Sequence, residues 1–230
     1  MPKITIAIDG HSSTGKSTVA RQLADYLGYI FVDTGAMYRA VTLYALRAGF
    51  ISETAFDTQK LIDALPDISV AFRKNDDGVA EIHLNGENVE RQIRTLEVSE
   101  HVSPVSAISE VRNKLVEQQR QMGEGGGIVM DGRDIGTVVF PNADLKIFLT
   151  ASTNIRAQRR YDELIARGDE ISLAEVRENV IERDQMDSTR DHSPLKRAEN
   201  AILIDNSETN QEDQFYTILQ LAKDRIAGRI

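Results

Sequence analysis

The chain of 230 residues contains no cysteine, and this absence alone excludes several kinds of chemistry. Disulfides, thiolate metal sites and cysteine nucleophiles are impossible, and the composition is compatible with a reducing compartment. The sequence also lacks an apolar run near the ~20 residues that span a bilayer. Its first residues, Met1–Thr5, are too short in their apolar part to form a secretory signal. We therefore expect a cytoplasmic protein that does not insert into a membrane.

The chain also has fewer basic residues than acidic residues. The 27 lysines and arginines are outnumbered by 36 aspartates and glutamates, which gives a net charge of −9. A net-acidic chain is poorly suited to bind duplex nucleic acid or an anionic membrane. It can still bind a small anion if its arginines gather in one place. With 41% hydrophobic and 27% charged residues, the composition is typical of a folded chain of one or two domains.

The N-terminal part of the chain has the pattern of a βαβ unit. Ile4–Asp9 is a β-prone run, and apolar residues at helical spacing follow from 19 to 27. Gly28 is placed where a helix ends, and a second apolar run covers Tyr29–Val32 before a helix predicted over Ala36–Arg47. Strands joined in this way lie parallel, with a right-handed crossover.

The pattern then changes to short strands that alternate in polarity. Ile68–Phe72 and Ala80–Leu84 are separated and followed by turn sequences, Asp76-Asp77-Gly78 and Asn85-Gly86, which indicate hairpins. A helix is predicted from Ser103 to the glycine-rich loop at 123–127. The remaining strands are predicted at Ile128–Met130, Leu145–Leu149 and Ala201–Ile204, and the remaining helices at Asn154–Ala166, Leu173–Gln185 and Glu212–Ala227. The predicted class is α/β: a parallel sheet flanked by helices, with an antiparallel β insertion near residues 66–102.

A phosphate-binding motif follows the first predicted strand. Gly10-x-x-x-x-Gly15-Lys16-Ser17 matches the Walker A pattern at each fixed position. Its glycines let successive main-chain N–H groups point at phosphate oxygens, and the following helix adds its positive end. Lys16 reaches the β- and γ-phosphates, and the Ser17 hydroxyl can bind Mg²⁺. The predicted triphosphate-binding residues are Gly10, His11, Ser12, Ser13, Thr14, Gly15, Lys16, Ser17 and Thr18.

Two classes of phosphate-loop protein are disfavoured by missing motifs. A regulatory GTPase needs Asn-Lys-x-Asp, but the pair Asn113-Lys114 is followed by Leu115-Val116. A mechanical ATPase normally has adjacent acids after an apolar strand, whereas Asp131 is followed by Gly132-Arg133. Asp131 itself has two interpretations that the residues leave open, since it can orient a Mg²⁺-bound water or cap a turn.

Arginines follow several of the segments that should meet at one edge of the sheet. Arg39, Arg133 and Arg190 are placed in this way, and ligands of open α/β sheets bind at that edge. Arg156, together with residues 159 and 160, forms a further basic helix face with spacing i, i+3, i+4. Phosphoryl transfer between two anionic substrates depends mainly on positioning and on cations. The sequence thus predicts an enzyme that joins a triphosphate to a monophosphate.

Three longer motifs make the prediction more specific. They are Asp33-Thr34-Gly35-Ala36-Met37-Tyr38-Arg39, the segment Asp131–Pro141 and Glu182-Arg183-Asp184. In order and spacing they resemble the bacterial cytidylate kinase family along nearly the whole chain. The resemblance implies transfer of the γ-phosphoryl group of ATP to CMP and dCMP, with CDP or dCDP and ADP as products. In that family the β insertion enlarges the region that binds the monophosphate.

The resemblance also implies roles for individual residues. The acceptor's phosphate would be held by Thr34, Arg39, Arg133 and Arg190. Its base and sugar would be bound by Ser103, Arg112, Asp134 and Asp187. The catalytic residues would be Lys16, Arg133, Arg159, Arg160 and Arg183.

The same resemblance implies a division of the chain. The core would comprise residues of about 1–35, 125–152 and 195–230, with a monophosphate-binding region over 36–124. Residues of about 153–194 would form a short helical lid that carries Arg156, Arg159 and Arg160 over the triphosphate. We expect a monomer whose partners are its nucleotide substrates. The four histidines are scattered without ligand spacing, so Mg²⁺ is expected to arrive with the nucleotide.

The phosphate loop departs from many relatives at two positions. They carry Pro at the place of His11 and Gly at the place of Ser13, and serine fits there if its φ is negative. Two other functions remain open from the residues alone. One is a kinase for another small acceptor, such as shikimate or a different nucleotide. The other is a regulator that senses ATP and needs no arginine-lined acceptor site.

Overall fold

The computed structural model describes residues 3–52 and 54–230, which divide into two compact units. The first unit comprises residues up to Val32 together with Arg120–Ile230, and the second is Asp33–Gln119. The strands are β1 (Thr5–Gly10), β2 (Ile30–Asp33), β3 (Val70–Lys74), β4 (Ala80–Leu84), β5 (Glu87–Asn88), β6 (Ile128–Gly132), β7 (Leu145–Thr150) and β8 (Ile202–Asp205). The α-helices are α1 (Lys16–Leu27), α2 (Thr34–Arg47), α3 (Thr58–Ala64), α4 (Leu96–Ala107), α5 (Ser109–Met122), α6 (Thr153–Arg167), α7 (Leu173–Thr189) and α8 (Gln211–Ile226).

A five-stranded sheet in the order β2-β6-β1-β7-β8 forms the centre of the first unit. β1 pairs in parallel with β6 and β7, opposing Ile8 to Asp131 and to Ile147. β7 pairs in parallel with β8. Residues of β1, β6 and β7 are buried along most of their length, as expected for strands covered on both faces. The predicted α/β class with a parallel sheet is confirmed.

The sequence explains where the phosphate loop lies. Apolar residues of α1, including Val19 and Leu23, pack on the sheet with Ile218 of α8 in one hydrophobic core. Gly28 ends α1 in a left-handed conformation with φ 66°, as its position predicted. The loop between β1 and α1 is therefore fixed at both ends, at the carboxyl edge of the sheet.

The second unit contains the predicted antiparallel insertion. β3, β4 and β5 form a three-stranded antiparallel sheet. Val70, Ile82 and Leu84 are buried by α2, which packs on β3 and β4. The strands end at Asn88, so the β part is shorter than the expected segment of 66–102, and α4 begins at Leu96.

The single helix predicted from Ser103 onward is wrong. The structure has two helices, α4 and α5, separated at Ile108, which has an extended conformation with φ −70° and ψ 122°. The apolar spacing continues through the break, because Val105 and Val111 are both fully buried. The start of α4 is set by Thr95, whose side chain caps the helix at the N–H of Val98. Periodicity alone did not reveal this cap or the short helix α3.

Within residues 3–52 and 54–230, no helix has both the length and the apolar character needed to cross a membrane.

Candidate functional site

The phosphate loop owes its shape to three positive φ angles. Gly10 has φ 147°, and a Cβ there would lie 2.0 Å from the carbonyl oxygen of Leu149. Gly15 has φ 82° and precedes α1. Ser13 also has a positive φ, 57°, so the negative angle expected to accommodate serine is not adopted. A left-handed conformation costs a non-glycine residue about 1 kcal/mol, and the chain retains it in this loop.

The side chain of Lys16 lies against the loop itself. Lys16 is 5% exposed, and its Nζ donates to the carbonyl oxygen of His11 at 2.5 Å. The hydroxyl of Thr14 donates to the same oxygen at 3.1 Å. From outside the loop, Asn206 Nδ2 donates to the carbonyl oxygen of Thr14 at 2.6 Å. These bonds hold the loop's carbonyl groups and place the Lys16 ammonium group against the loop.

Two polar atoms of the loop are buried without a hydrogen-bond partner among the described residues. They are Ser12 Oγ and His11 Nδ1. The His11 ring meets Phe148 edge-on with centroids 5.9 Å apart. Burial lowers the pKa of His11, although Asp184 opposes the shift, so the imidazole is neutral at pH 7 in this structure.

Ser17 and Asp131 form the arrangement expected of a magnesium site. Ser17 Oγ donates to Asp131 Oδ2 at 2.8 Å, and Asp131 is 3% exposed. Asp131 lies inside β6, which excludes the interpretation that it caps a turn. Because the serine proton points to the carboxylate, the oxygen lone pairs of Ser17 are oriented to bind a cation. The residues therefore fit Mg²⁺. No group of three or more carboxylate, histidine or cysteine side chains suited to a metal occurs in the described part of the chain.

A buried carboxylate that the sequence did not single out lies at the base of the loop. Asp9 is 3% exposed and accepts hydrogen bonds of 2.7 Å from the main-chain N–H groups of Ile135 and Gly136. Burial raises its pKa to about 6, although the two main-chain bonds oppose the shift. These bonds tie the end of β1 to the π-helix Ile135–Val139, which directly follows Asp134.

A cluster of buried charges surrounds Arg133. Arg133 Nε donates to Asp187 Oδ2 at 2.8 Å. Burial alone would raise the pKa of Asp187, but Arg133 and Arg183 hold it below its usual value. Burial, with the nearby positive charge of Arg133, lowers the pKa of Arg183 to about 10, which leaves it protonated at neutral pH. Of the other predicted residues in this unit, Arg190 Nη2 lies 3.9 Å from Asp134 Oδ1.

The three arginines predicted for the lid have different environments. Arg156 is 3% exposed and pairs with Asp184 at 2.5 Å, while Nη1 reaches the carbonyl oxygen of Ser12 at 3.5 Å. Arg159 donates to Oδ1 and the carbonyl oxygen of Asn206, at 3.0 and 2.9 Å. Arg160 pairs with Glu163 on its own helix. Arg156 thus reaches the phosphate loop directly, whereas Arg159 contacts Asn206, which donates to the loop.

In the second unit, Thr34 and Arg39 both belong to α2. Asp33 caps this helix by accepting from the N–H of Ala36 at 2.9 Å, and Thr34 is its buried first residue. Arg39 Nη1 donates to Ser99 Oγ at 2.7 Å and to the carbonyl oxygen of Ile93 at 3.3 Å. The start of α2 therefore holds a guanidinium group beside a helix N-terminus, two features that suit an anion.

Ser103 and Arg112 are brought together on neighbouring helices. Both are buried, with 4% and 3% exposure. Arg112 Nη1 donates to the carbonyl oxygen of Ser106, and the hydroxyl of Ser106 donates to the carbonyl oxygen of Ser103. The Arg112 guanidinium also lies 5.4 Å from the centre of the Tyr38 ring. The break at Ile108 turns α5 relative to α4 and allows this approach.

Sequence reasoning missed several residues that hold the predicted ones. They are Asp9, Ser99, Arg94 and Asn206. The glycine and lysine positions of the loop were found because their spacing is local. The aspartate at the end of the Ile4–Asp9 run was visible in the sequence, but nothing there indicated that it accepts from N–H groups more than a hundred residues away.

Comparisons with known proteins identify one family that the chain matches over nearly its whole length. A sequence model of the family described as Cytidylate kinase matches residues 6–224. The cytidylate kinase of Flavobacterium johnsoniae is 60% identical over 225 residues, covering 97% of this chain and 98% of that protein. Those of Flavobacterium psychrophilum and Phocaeicola vulgatus are 60% and 58% identical and cover 96% and 93% of this chain, and 98% and 94% of those proteins. A solved shikimate kinase from Bacteroides thetaiotaomicron covers 98% of this chain and 99% of its own, at 13% identity and a TM-score of 0.46, too low to support an argument.

Proposed function

The chain belongs to the cytidylate kinase family, and from this premise we propose that it transfers the γ-phosphoryl group of ATP to CMP. The products are CDP and ADP, and dCMP is a second acceptor that yields dCDP. The observation that carries the proposal is the agreement with curated cytidylate kinases at 60% identity over 97% of the chain. An ATP-dependent nucleoside monophosphate kinase needs a donor site and an acceptor site, and the described residues offer groups for both.

The donor site is the phosphate loop with its surroundings. Main-chain N–H groups of residues 10–18 and the ammonium of Lys16 bind the β- and γ-phosphates. Binding supplies partners for polar atoms of the loop that are otherwise unsatisfied, such as Ser12 Oγ. A buried polar group without a partner costs about 1–3 kcal/mol. The loop is thus built for an anionic ligand.

Ser17, with Asp131 behind it, is the residue that would hold the Mg²⁺ ion bound with the triphosphate. When bound, Mg²⁺ neutralises part of the negative charge on the phosphates. Asp131 orients the Ser17 hydroxyl through their bond of 2.8 Å. Removal of the cation with a chelator is expected to abolish turnover, and adding Mg²⁺ in excess is expected to restore it.

The residues proposed to bind CMP are the ones that the family resemblance implies. They are Thr34, Arg39, Ser103, Arg112, Arg133, Asp134, Asp187 and Arg190. The guanidinium groups bind the phosphate, and polar groups directed at the pyrimidine reject bases that leave buried donors or acceptors unpaired. Arg159, Arg160 and Arg183 add positive charge for the transferred group, and the lid over 153–194 excludes water.

The transfer itself needs little covalent chemistry from the protein. An oxygen of the CMP phosphate attacks the γ-phosphorus in line, and the bond from that phosphorus to the ADP oxygen breaks. The attacking oxygen is already anionic near neutral pH, so no strong general base is required. Lys16 and the arginines lower the barrier by neutralising charge that spreads over the migrating group.

A coupled assay of ADP formation with ATP and each nucleoside monophosphate tests the proposal. We expect CMP to be used best, dCMP to be used measurably, and UMP, AMP and GMP to be poor acceptors. Equal rates with all acceptors would contradict the preference for cytosine and leave the kinase activity standing. The monomeric state, the cytoplasmic location and the lack of duplex nucleic-acid binding stay predictions from the sequence.

A further inference from the structure

The hydroxyl of Ser99 lies between the main chain of α4 and the side chain of Arg39. Ser99 is only 2% exposed. Its Oγ donates to the carbonyl oxygen of Thr95 at 2.9 Å and accepts from Arg39 Nη1 at 2.7 Å. A hydroxyl has a single proton, so donation to Thr95 directs an oxygen lone pair toward Arg39. The bond to α4 therefore fixes the hydroxyl so that its oxygen faces the positively charged Arg39.

Two groups without charge accept hydrogen bonds from Arg39 Nη1. Besides Ser99, this nitrogen donates to the carbonyl oxygen of Ile93 at 3.3 Å. A hydroxyl and a carbonyl are neutral, whereas a carboxylate in the same place would neutralise the cation. Holding a long side chain in place in advance also reduces the entropy lost when it binds a ligand.

The same segment pairs with Asp33, whose carboxylate interacts electrostatically with Arg39. Arg94 Nη2 pairs with Asp33 Oδ2 at 3.1 Å, while Asp33 Oδ1 caps α2. Burial alone would raise the pKa of Asp33, but Arg94, and to a smaller extent Arg39, hold it below its usual value. Residues 93–99 thus fix α2 at its first turn through Arg94 and at Arg39 through Ser99.

We propose that Ser99 is a positioning residue for the acceptor nucleotide, since it fixes Arg39 in the orientation in which the guanidinium binds the phosphate of CMP. Ser99 does not itself contact CMP in this account. The inference rests on the proposed function and deepens it, because it assigns part of the affinity for the acceptor to a residue that the motifs do not contain. It applies to the acceptor and not to ATP.

A matched control distinguishes positioning from simple packing. Thr42 is fully buried in the same unit, and its Oγ1 donates to the carbonyl oxygen of Tyr38, four residues earlier, at 2.9 Å. Ser99 makes the same kind of bond to Thr95. Thr42→Val and Ser99→Ala therefore each remove a buried hydroxyl from a helix, but only the second removes an acceptor from Arg39.

The experiment measures the Kd of CMP by calorimetry, together with the KM values for CMP and ATP. We expect Ser99→Ala to raise the Kd and KM of CMP roughly tenfold, the weight of a hydrogen bond to a charged group. We expect kcat and the KM of ATP to stay within about twofold, because neither depends on how Arg39 is held before CMP binds. Thr42→Val should leave the Kd of CMP unchanged, and Ser99→Thr, which retains the hydroxyl, should restore most of the affinity.

A double-mutant cycle with Arg39→Ala decides whether Ser99 acts through Arg39. If it does, Ser99→Ala has no further effect on CMP binding once Arg39 is removed. An equal loss in both backgrounds, or no loss in the wild-type background, would overturn the inference. Should Ser99→Ala not fold, Ser99→Cys, whose sulfur is a weak acceptor, is measured in its place with the same expectations. A wild-type chain that does not bind CMP would instead contradict the proposed function, and this is known before any variant is compared.

Discussion

The phosphate loop and the start of α2 are both suited to a phosphate group, but they are built from different parts of the chain. In the loop, the shape comes from main-chain angles at Gly10, Ser13 and Gly15, and the groups proposed to bind phosphate are N–H groups of residues next to one another. At the start of α2, the charge comes from Arg39, which is held by Ser99, a residue 60 positions away.

Substitutions should therefore damage the two regions in different ways. A region built from main chain should tolerate a change of side chain, but not a change of backbone angle or an added Cβ at a close approach. A region built from side chains depends on each guanidinium and on the groups that orient it.

Removing a guanidinium should stop transfer without affecting the donor site. We expect Arg133→Ala to lower kcat by about 10³-fold or more, the range found when an arginine that stabilises a phosphoryl-transfer transition state is lost. The Kd of ATP should stay within about twofold, because the main-chain groups that bind it are unchanged. Steady-state kinetics and ATP titration of the same preparation check both.

Arg47→Ala is a suitable control for the loss of Arg133. Arg47 is also paired with a carboxylate, that of Glu87, but the pair is exposed, so its removal should change kcat little. A chain that merely senses ATP would keep its output after Arg133→Ala, and unchanged turnover would remove Arg133 from the mechanism. Thermal unfolding of the variant is needed alongside, because Asp187 loses its partner.

Adding a single methyl group should damage the phosphate loop severely. In Gly10→Ala the new Cβ would lie 2.0 Å from the carbonyl oxygen of Leu149, so the backbone must move. We expect a loss of about 3 kcal/mol in the free energy of unfolding, at the upper end for overpacking, and a loss of ATP binding. Gly28→Ala is the matched control, because Gly28 also has positive φ but open space around it, and it should cost only about 1 kcal/mol. Urea unfolding of both variants measures the two losses of free energy, and equal losses would contradict the account.

The titration of Asp9 should give an unusual pH dependence of stability. Its pKa is raised to about 6 in the folded state from 3.8, so the folded chain binds more protons and this contribution to stability is lost as the pH rises through 6. Between pH 4 and 7 the wild type should lose about 2 kcal/mol relative to Asp9→Asn. The hydrogen bonds that asparagine changes are independent of pH. A difference between the two chains that is constant across this range would show that Asp9 does not titrate there.

The contribution of Asp33, at the end of β2, should change with pH in the opposite direction. Its pKa is lowered below 3.8 in the folded state, so the stability it contributes is present above about pH 4 and is lost as the pH falls. Asparagine keeps the helix cap but not the ion pair with Arg94. The advantage of the wild type over Asp33→Asn should therefore grow from pH 3 to pH 5. Slopes of the same sign for Asp9 and Asp33 would contradict the assignment of their partners.

What the sequence predicted well depends on residues that are close together along the chain. The phosphate motif, the alternation in Ile82 and Leu84, and the caps such as Gly28 are local, so their spacing reveals them directly. The parallel class follows from the βαβ pattern, but the order of the strands does not, because β6 lies between β1 and β2. The break at Ile108 was missed because the apolar period continues across it.

The remainder could not be predicted because it consists of contacts between distant residues. Asp9 meets the N–H of Ile135 across 126 positions, and Asn206 reaches the carbonyl oxygen of Thr14 across 192. Neither pair leaves a trace in a single sequence, since an aspartate or asparagine at the end of a strand is also a common turn residue. The family resemblance supplied the arginines that are proposed to bind ligands, but not the groups that hold them.

The central claim is that the γ-phosphoryl group passes from ATP to CMP, and the most direct measurement follows that group. The chain is incubated with Mg²⁺, unlabelled CMP and ATP that carries a radiolabel in its γ-phosphate, and the products are separated. The account predicts label in the β-phosphate of CDP, in an amount equal to the ADP formed. Label released only as inorganic phosphate, at a rate that does not depend on CMP, would contradict it.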